Sequence, residues 1–301
     1  MPERDRVAWV FPGQGSQRVG MGHQLSQADP ATAELFALAD RTLNLSLSKL
    51  IFDGPQEQLQ ATPNQQPAIV ATSVAYLRAL QARDLLPDPA FVAGHSLGEY
   101  TALVAAGALD LVDALRLVRR RGELMQEHGA GAMAAILGLP AAIVAEIATI
   151  AGAEVANFNA PEQTTVSGRN DAVQRAMLLA RERGAKRALL LPVSAAFHSS
   201  LMAPAADGMR PLLDRVPLQP AAFPLVANVD GRPIQEPDDL RRELLAQICA
   251  PVQWVEVVRT LTTAGVDTFY EIGPGKVLAG LIARCAPGAA VRTAESLLGS
   301  L

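Results

Sequence analysis

Ser96 stands at the centre of Gly94-His95-Ser96-Leu97-Gly98, between an extended apolar run, Ala90 to Ala93, and a helix-like run, Glu99 to Leu109. Gly-x-Ser-x-Gly between strand and helix is the nucleophile-elbow pattern. Glycine tolerates the crowding two residues either side of the serine, the hydroxyl projects from the turn, and nearby N–H groups and the helix dipole can stabilise an oxyanion. The same spacing also suits an ordinary glycine-rich turn. A serine nucleophile needs a base. His198, in Val193-Ser194-Ala195-Ala196-Phe197-His198, follows a predicted strand at a junction where a cleft would form. A neutral imidazole there takes the serine proton and returns it to a leaving group. Position alone equally suits a surface or helix-capping histidine. His95 is expected to point away from the site, and His23 and His128 read as surface residues.

Two further turns bear on the chemistry. Gly13-Gln14-Gly15-Ser16-Gln17 lacks the third glycine of a dinucleotide fingerprint, having Arg18 there, and has no phosphate-loop lysine. The preferred reading is a backbone turn in which Gln14 gives one N–H to an oxyanion hole and Leu97 the other. Gly273-Pro274-Gly275-Lys276 reads as a plain structural turn because the Walker spacing is absent.

These residues must be positioned by a chain of 301 residues, half of them apolar and with a net charge of −4. That is enough for a substantial core and argues against disorder and bulk nucleic-acid binding. Four histidines and two cysteines, Cys249 and Cys285, argue against a multi-histidine metal site and fit a reduced, cytoplasmic setting. The N-terminus, Met1 to Arg6, carries charges of both signs and is not a signal peptide. The uncharged, apolar stretch Gly129 to Ala145 contains Pro140 and reads as strand, turn and helix start, not a membrane span.

Strand-like and helix-like runs alternate, which predicts an α/β protein with a mostly parallel sheet. Strands are expected at Val7–Phe11, Ala90–Ala93, Leu225–Val229 and Thr268–Ile272. Helices are expected at Ala31–Leu43, Pro67–Ala82, Glu99–Leu109, Asp110–Met125, Ser200–Asp214, Pro237–Ile248, Val252–Ala264 and Lys276–Cys285. Pro67 is placed in a first turn and Asp110 at an N-cap. From Gly131 to Val193 the order is β-α-β-β-α-β, a ferredoxin-like split unit. The expected architecture is an α/β-hydrolase-like large domain, residues 1–129 and 197–301, with an inserted ferredoxin-like small domain, 130–196.

Several stretches together carry a resemblance: Phe11-Pro12-Gly13-Gln14-Gly15-Ser16-Gln17, Gly94 to Tyr100, Arg121-Gly122, Phe197-His198-Ser199, Pro251-Val252-Gln253-Trp254 and Tyr270 to Val277. In content and order they resemble the malonyl-CoA:acyl-carrier-protein transacylase family, from about residue 7 to residue 285. The resemblance implies a ping-pong transfer through a malonyl ester on Ser96, with His198 as base and Gln14 and Leu97 as oxyanion donors. It implies that Arg121 binds the malonyl carboxylate, which suits a bidentate guanidinium better than a lysine. It implies that the main-chain carbonyl of Gln247 orients His198, and that Gln66 lies near the acyl pocket, although Gln66 also suits a helix start. A phenylalanine at position 197 accompanies malonyl selectivity in related acyltransferases. Arg119 and Arg120 are expected on a solvated helix face.

The expected partners are malonyl-CoA and an acidic acyl carrier protein, with CoA thioester as substrate and no cofactor, metal, nucleic acid or membrane; a monomer is expected. Arg181, Arg183, Lys186 and Arg187 form a candidate docking patch, although an ordinary charged helix end suits them better. The same constellation suits a free-standing polyketide acyltransferase in place of a fatty-acid enzyme. A serine thioesterase or other hydrolase, and a non-catalytic carrier-binding module, are the other classes. A buried arginine has little use in a hydrolase of neutral esters.

Overall fold

A computed structural model describes residues 6–193 and 195–299; the charged segment 1–5, on which the signal-peptide expectation rests, lies outside the described residues. The chain opens with β1 (Arg6–Phe11), buried from Val7 onward. Four helices follow: α1 (His23–Ala28), α2 (Pro30–Leu43), α3 (Leu47–Asp53) and α4 (Gln56–Gln60). Helix α2 starts where its residues dictate, with Pro30 at the first position and the Asp29 carboxylate accepting the Ala31 N–H. Helices α1, α3 and α4 have five to seven residues, too few for hydrophobic periodicity to register.

Helix α5 (Thr62–Gln81) is buried along most of its length and begins earlier than Pro67 predicts. Pro63 takes the first turn and Pro67 lies inside the helix. Pro67 has no N–H for the carbonyl of Pro63. That carbonyl accepts instead from Arg119 Nη1 at 3.1 Å. After β2 (Phe91–Gly94), α6 (Gly98–Ala105) stops short of the expected Leu109, and Gly107 turns the chain at φ 69°. Helix α7 (Leu111–His128) is capped by Asp110, whose carboxylate accepts the Val112 N–H at 2.8 Å.

The next segment forms its own sheet: β3 (Ala132–Leu137), α8 (Ala141–Ala151), β4 (Glu154–Ala160), β5 (Gln163–Gly168), α9 (Asn170–Glu182) and β6 (Arg187–Leu190). The strand order is β4-β5-β3-β6 and every neighbouring pair is antiparallel. Side chains alternate across the sheet. Ala134 and Ile136 pack with Val144, Ile147, Val173 and Ala176 of the two helices, while Met133 turns to the other face.

The chain then returns through a 3-10 turn (Ser200–Met202) and α10 (Ala203–Arg215). It continues as β7 (Leu225–Val226), β8 (Pro233–Ile234), α11 (Pro237–Ala246), α12 (Trp254–Thr263), β9 (Val266–Glu271), α13 (Val277–Cys285), β10 (Ala290–Thr293) and α14 (Ala294–Leu298). The large sheet has the order β10-β9-β1-β2-β7-β8 and is parallel except for the β7–β8 pair. Both faces are covered, so its central strands read as continuous apolar runs. Trp9 and Phe11 belong to the larger core cluster on one face, where Trp9 meets Phe223, and Ala8 and Val10 pack on the other with Trp254, Val257 and Leu281.

Two hydrogen bonds stitch β4 of the small sheet to the segment between α11 and α12: Val252 N–H donates to the Ala156 carbonyl and Phe158 N–H to the Val252 carbonyl, each at 2.9 Å. The C-terminal ends of β1 and β2 open toward the small sheet, the place where open α/β sheets bind ligands. Among the described residues no helix is long and apolar enough to cross a membrane.

Candidate active site

The turn after β2 places Ser96 at φ 52°, a left-handed conformation that is rare for a residue with a side chain. Its surroundings enforce the strain. A Cβ on Gly94 would lie 1.9 Å from the carbonyl carbon of Gly98, and one on Gly98 would lie 2.1 Å from the Phe11 carbonyl oxygen. Buried Asn228 closes the turn: its Oδ1 accepts the Ser96 N–H at 2.6 Å and its Nδ2 donates to the Gly94 carbonyl at 2.7 Å.

His198 is also left-handed, at φ 56°, and is brought beside the elbow from the start of the return segment. Ser96 Oγ and His198 Nε2 are 2.7 Å apart. On its other side, Nδ1 lies 2.7 Å from the Gln247 carbonyl and 3.1 Å from the Ala250 carbonyl. Carbonyl oxygens only accept, so Nδ1 carries the proton and Nε2 is free to accept from the serine. Burial, helped by the Arg121 charge, pushes the imidazole pKa down to about 3. The ring is therefore neutral at ordinary pH.

Arg121 is the only one of three consecutive arginines that is buried, at 2% exposure. Its Nη1 donates to Gln66 Oε1 at 3.1 Å, and its Nη2 to Gln247 Oε1 at 2.8 Å and to Ser96 Oγ at 3.1 Å. Tyr100 lies against the guanidinium, its ring centroid 5.9 Å away. Among the described residues no carboxylate is within ion-pair distance of Arg121, and its Nε has no hydrogen-bond partner. The adjoining Gly122 explains the Arg-Gly pair. A Cβ there would lie 2.7 Å from the Thr62 carbonyl oxygen, so glycine lets α7 approach α5 and bring Arg121 to Gln66.

A cavity over this cluster is lined by Gln14, Ser96, Arg121, Phe197 and His198, together with Met125, Met133 and Asn157. Gly13 presses the first loop onto the elbow, since a Cβ on it would fall 2.3 Å from the His95 carbonyl oxygen. Among the described residues neither the Gln14 nor the Leu97 N–H has a hydrogen-bond acceptor.

A family described as acyl transferase domain matches residues 8–300. The chain belongs to the acyl transferase family. Among its relatives, the malonyl CoA-acyl carrier protein transacylase of Bacillus subtilis (strain 168) is 46% identical over 285 residues, covering 92% of this chain and 89% of that protein. The protein of the same name from Escherichia coli (strain K12) is 44% identical over 286 residues, covering 93% and 92%. The malonyl CoA-acyl carrier protein transacylase structure from Coxiella burnetii superposes with a TM-score of 0.95 at 39% identity, covering 98% of this chain and 96% of that one. A malonyl-transacylase solved in complex with a type II polyketide acyl-carrier protein gives 0.93 at 41% identity, covering 96% and 95%. The large α/β sheet with a second, smaller sheet is the fold of these acyltransferases.

In this acyltransferase some expectations from the sequence need correction. His95 does not turn away from the site. Its ring lines the cavity, held by a 2.8 Å contact between Nε2 and Asn159 Oδ1 and packed 5.5 Å from Trp254. Arg119 is not simply solvated, because the carbonyl freed by Pro67, the Asn64 side chain and Glu123 all hold it. Gln66 is fully buried within α5 and is not a helix-start residue. His23 is half-buried and stacks on Phe52, with ring centroids 4.7 Å apart. Of the basic patch, Arg183 pairs with Glu146, Lys186 with Glu162, and Arg181 donates to the Ala188 carbonyl; Arg187 is exposed on β6.

Sequence reasoning missed Asn228 and Glu99. The expected strand Leu225–Val229 hid Asn228, whereas β7 ends at Val226 and a turn follows. Glu99 carried a usable signal: a lone acid opening an otherwise apolar helix directly behind an elbow.

Proposed function

We propose that this acyltransferase moves malonyl from malonyl-CoA to the phosphopantetheine thiol of an acyl carrier protein, in fatty-acid synthesis, through an ester on Ser96. The observation that carries the malonyl assignment is Arg121: a buried cation beside the nucleophile whose partners among the described residues are neutral. Burying a charge without a counter-charge is costly, and a substrate carboxylate supplies one. A neutral acyl group would not, which disfavours an ordinary thioesterase.

Ser96 Oγ attacks the thioester carbonyl as its proton passes to His198 Nε2. The developing oxyanion is held by the N–H groups of Gln14 and Leu97; a single such donor contributes about 3 kcal/mol. The C–S bond breaks, the proton goes from Nε2 to the leaving thiolate, and malonate remains as the Ser96 ester. The carrier thiol then gives its proton to His198 and attacks that ester, the C–O bond breaks, and the proton returns to Ser96 Oγ. The Gln247 carbonyl holds the Nδ1 proton throughout, in place of the acid of a Ser-His-Asp triad. Gln66 and the Gln247 side chain hold the guanidinium, and Phe197 fills space an α-methyl would need. The reading takes residues 130–196 as a small domain closing over the site and the enzyme as a cytoplasmic monomer.

Mass spectrometry after mixing with malonyl-CoA tests the nucleophile: the native enzyme gains a malonyl adduct at Ser96 and Ser96→Ala gains none. An adduct that persists in Ser96→Ala refutes the assignment. Arg121→Ala tests the carboxylate role. A charged hydrogen bond is worth about 1.5–3 kcal/mol, so kcat/KM for malonyl-CoA should fall at least roughly 10- to 100-fold while acetyl transfer changes much less. Equal losses for both substrates would sink that role.

A further inference from the structure

Behind the nucleophile lies a second layer of polar groups that the acyl-transfer steps do not use. Glu99, one residue past the elbow, is completely buried, and Glu243 of α11 is nearly so. Their carboxyl groups are seated on consecutive backbone amides of the turn after β7, those of Asn228 and Val229. Glu99 Oε1 accepts the Asn228 N–H at 2.8 Å and its Oε2 accepts from Gln247 Nε2 at 2.9 Å. Glu243 Oε1 accepts the Val229 N–H at 3.0 Å. Two residues thus reach from this acid pair to the reacting groups: Asn228 to the Ser96 N–H, and Gln247 to Arg121, His198 and the Ser96 carbonyl.

We propose that Glu99 is a positioning residue for acylation of Ser96, forming with Glu243 a buried acid pair that fixes the amide of Gln247 and the turn at Asn228. The inference rests on the reading of Ser96 as nucleophile. Its physical basis is the two-sidedness of an amide. Gln247 must present Oε1 to Arg121 and Nε2 to the Ser96 carbonyl. A flipped amide would set an NH2 group against the guanidinium donors and an oxygen against a carbonyl oxygen. Glu99, as an acceptor beside Nε2, adds the contact that makes one orientation decisive.

Two carboxyl groups seated on adjacent amides in a buried site resist being ionised together, so the pair retains one proton. Burial and the Glu243 charge push Glu99 well above the ordinary carboxylate range, and burial raises Glu243 as well. The other charged or titratable groups acting on the pair are Arg121 of α7, Tyr100 of α6, and Asp230 and Arg232 of the turn after β7; His198 is joined to it through Gln247. Tyr100 is pushed up to about 12 and His198 down to about 3, so neither titrates in the mildly alkaline range. Loss of the shared proton as pH rises places two anions side by side and disturbs the Gln247 contact.

The test measures the rate of malonyl-Ser96 formation by quenched-flow mass spectrometry, at saturating malonyl-CoA, from about pH 6 to 9.5. It compares the native enzyme with Glu99→Ala and Glu243→Gln, and circular dichroism establishes that each variant is folded. In Glu243→Gln the amide oxygen still accepts the Val229 N–H and the NH2 group donates to an ionised Glu99, so one hydrogen stands permanently where the shared proton was. This variant should acylate within about threefold of the native rate at neutral pH, and should lack the alkaline fall that the native enzyme shows. Glu99→Ala should be about 100-fold slower with little change in KM, the scale expected of a misplaced reacting group. A folded Glu99→Ala within threefold of native, or a Glu243→Gln variant with the native alkaline fall, overturns the proposal. If Glu99→Ala does not fold, the comparison of Glu243→Gln with the native pH profile decides alone. A native enzyme without a Ser96 adduct refutes the nucleophile reading and this inference with it; an adduct with unaffected variants refutes this inference only.

Discussion

At the scale of single residues, the Arg121 charge acts on the His198 ring, which under the proposed function ties substrate binding to the strength of the base. The Arg121 charge is one cause of the low imidazole pKa, second to burial. A malonyl carboxylate on the guanidinium cancels that charge and lets the pKa rise. The profile of kcat/KM against pH reports the free enzyme and that of kcat reports the complex. Acylation by malonyl-CoA should therefore pass through pH 6.5 without the loss an ordinary histidine would cause. Its acid limb in kcat should lie at higher pH than its limb in kcat/KM. Acetyl-CoA, with no carboxylate, should show no such separation. Single-turnover rates with the two thioesters measure this, and coincident limbs for malonyl-CoA would remove the link.

At the scale of elements, the decisive contact is the approach of α5 to α7. Gly122 touches the backbone at Thr62 and Pro63, so Gly122→Ala must push the helices apart. Overpacking of this kind costs about 1–3 kcal/mol. The variant should lose that much stability in urea denaturation, and its KM for malonyl-CoA should rise because Arg121 is drawn away from Gln66. Most elements were legible in the sequence because their patterns are local. The capping of α7 by Asp110, the alternation in β3 and the order of the small sheet follow from residues near one another in the chain. The misreadings share a cause: a distant partner decides. Pro67 reads as a helix start until Arg119 is seen to take over the carbonyl it leaves unbonded. The turn at Asn228 reads as strand until the elbow it closes, 132 residues earlier in the chain, is in view. Ser96 and His198 were candidates from type and setting alone. The roles of Arg121, Gln66 and Gln247 came from the resemblance, and their mutual contacts join α5, α7 and the end of α11, which no local pattern reveals.

At the scale of the whole molecule, buried carboxyl groups set how stability varies with pH. Burial pushes Glu271 up to about 7 although its oxygens accept the Leu278 and Ala279 N–H groups at the start of α13. A carboxyl with a raised pKa binds more protons in the folded state than in the unfolded one. Its contribution to stability is present at low pH and is lost as pH rises from about 4.5 in the unfolded chain toward about 7. Glu99 and Glu243 act with the same sign. His198 opposes them: with a folded pKa of about 3 it costs stability as pH falls below 6.5. Urea midpoints of the native enzyme and Glu271→Gln at about pH 5 and pH 8 isolate one term, because only the Glu271 contribution differs between them. The native enzyme should lose more stability than the variant on going to the higher pH; an equal loss would show that Glu271 ionises as freely in the fold as outside it.

The stitch at Val252 has a meaning for how such enzymes can be rebuilt. Within six residues, Gln247 to Val252, the chain supplies both carbonyls that hold the His198 ring and the peptide that extends the small sheet. A designer who exchanges the small domain inherits this segment as a fixed-length tether. Surface loops elsewhere can gain or lose residues, but one residue added here forces a choice between seating the new domain and keeping the imidazole in line with the serine.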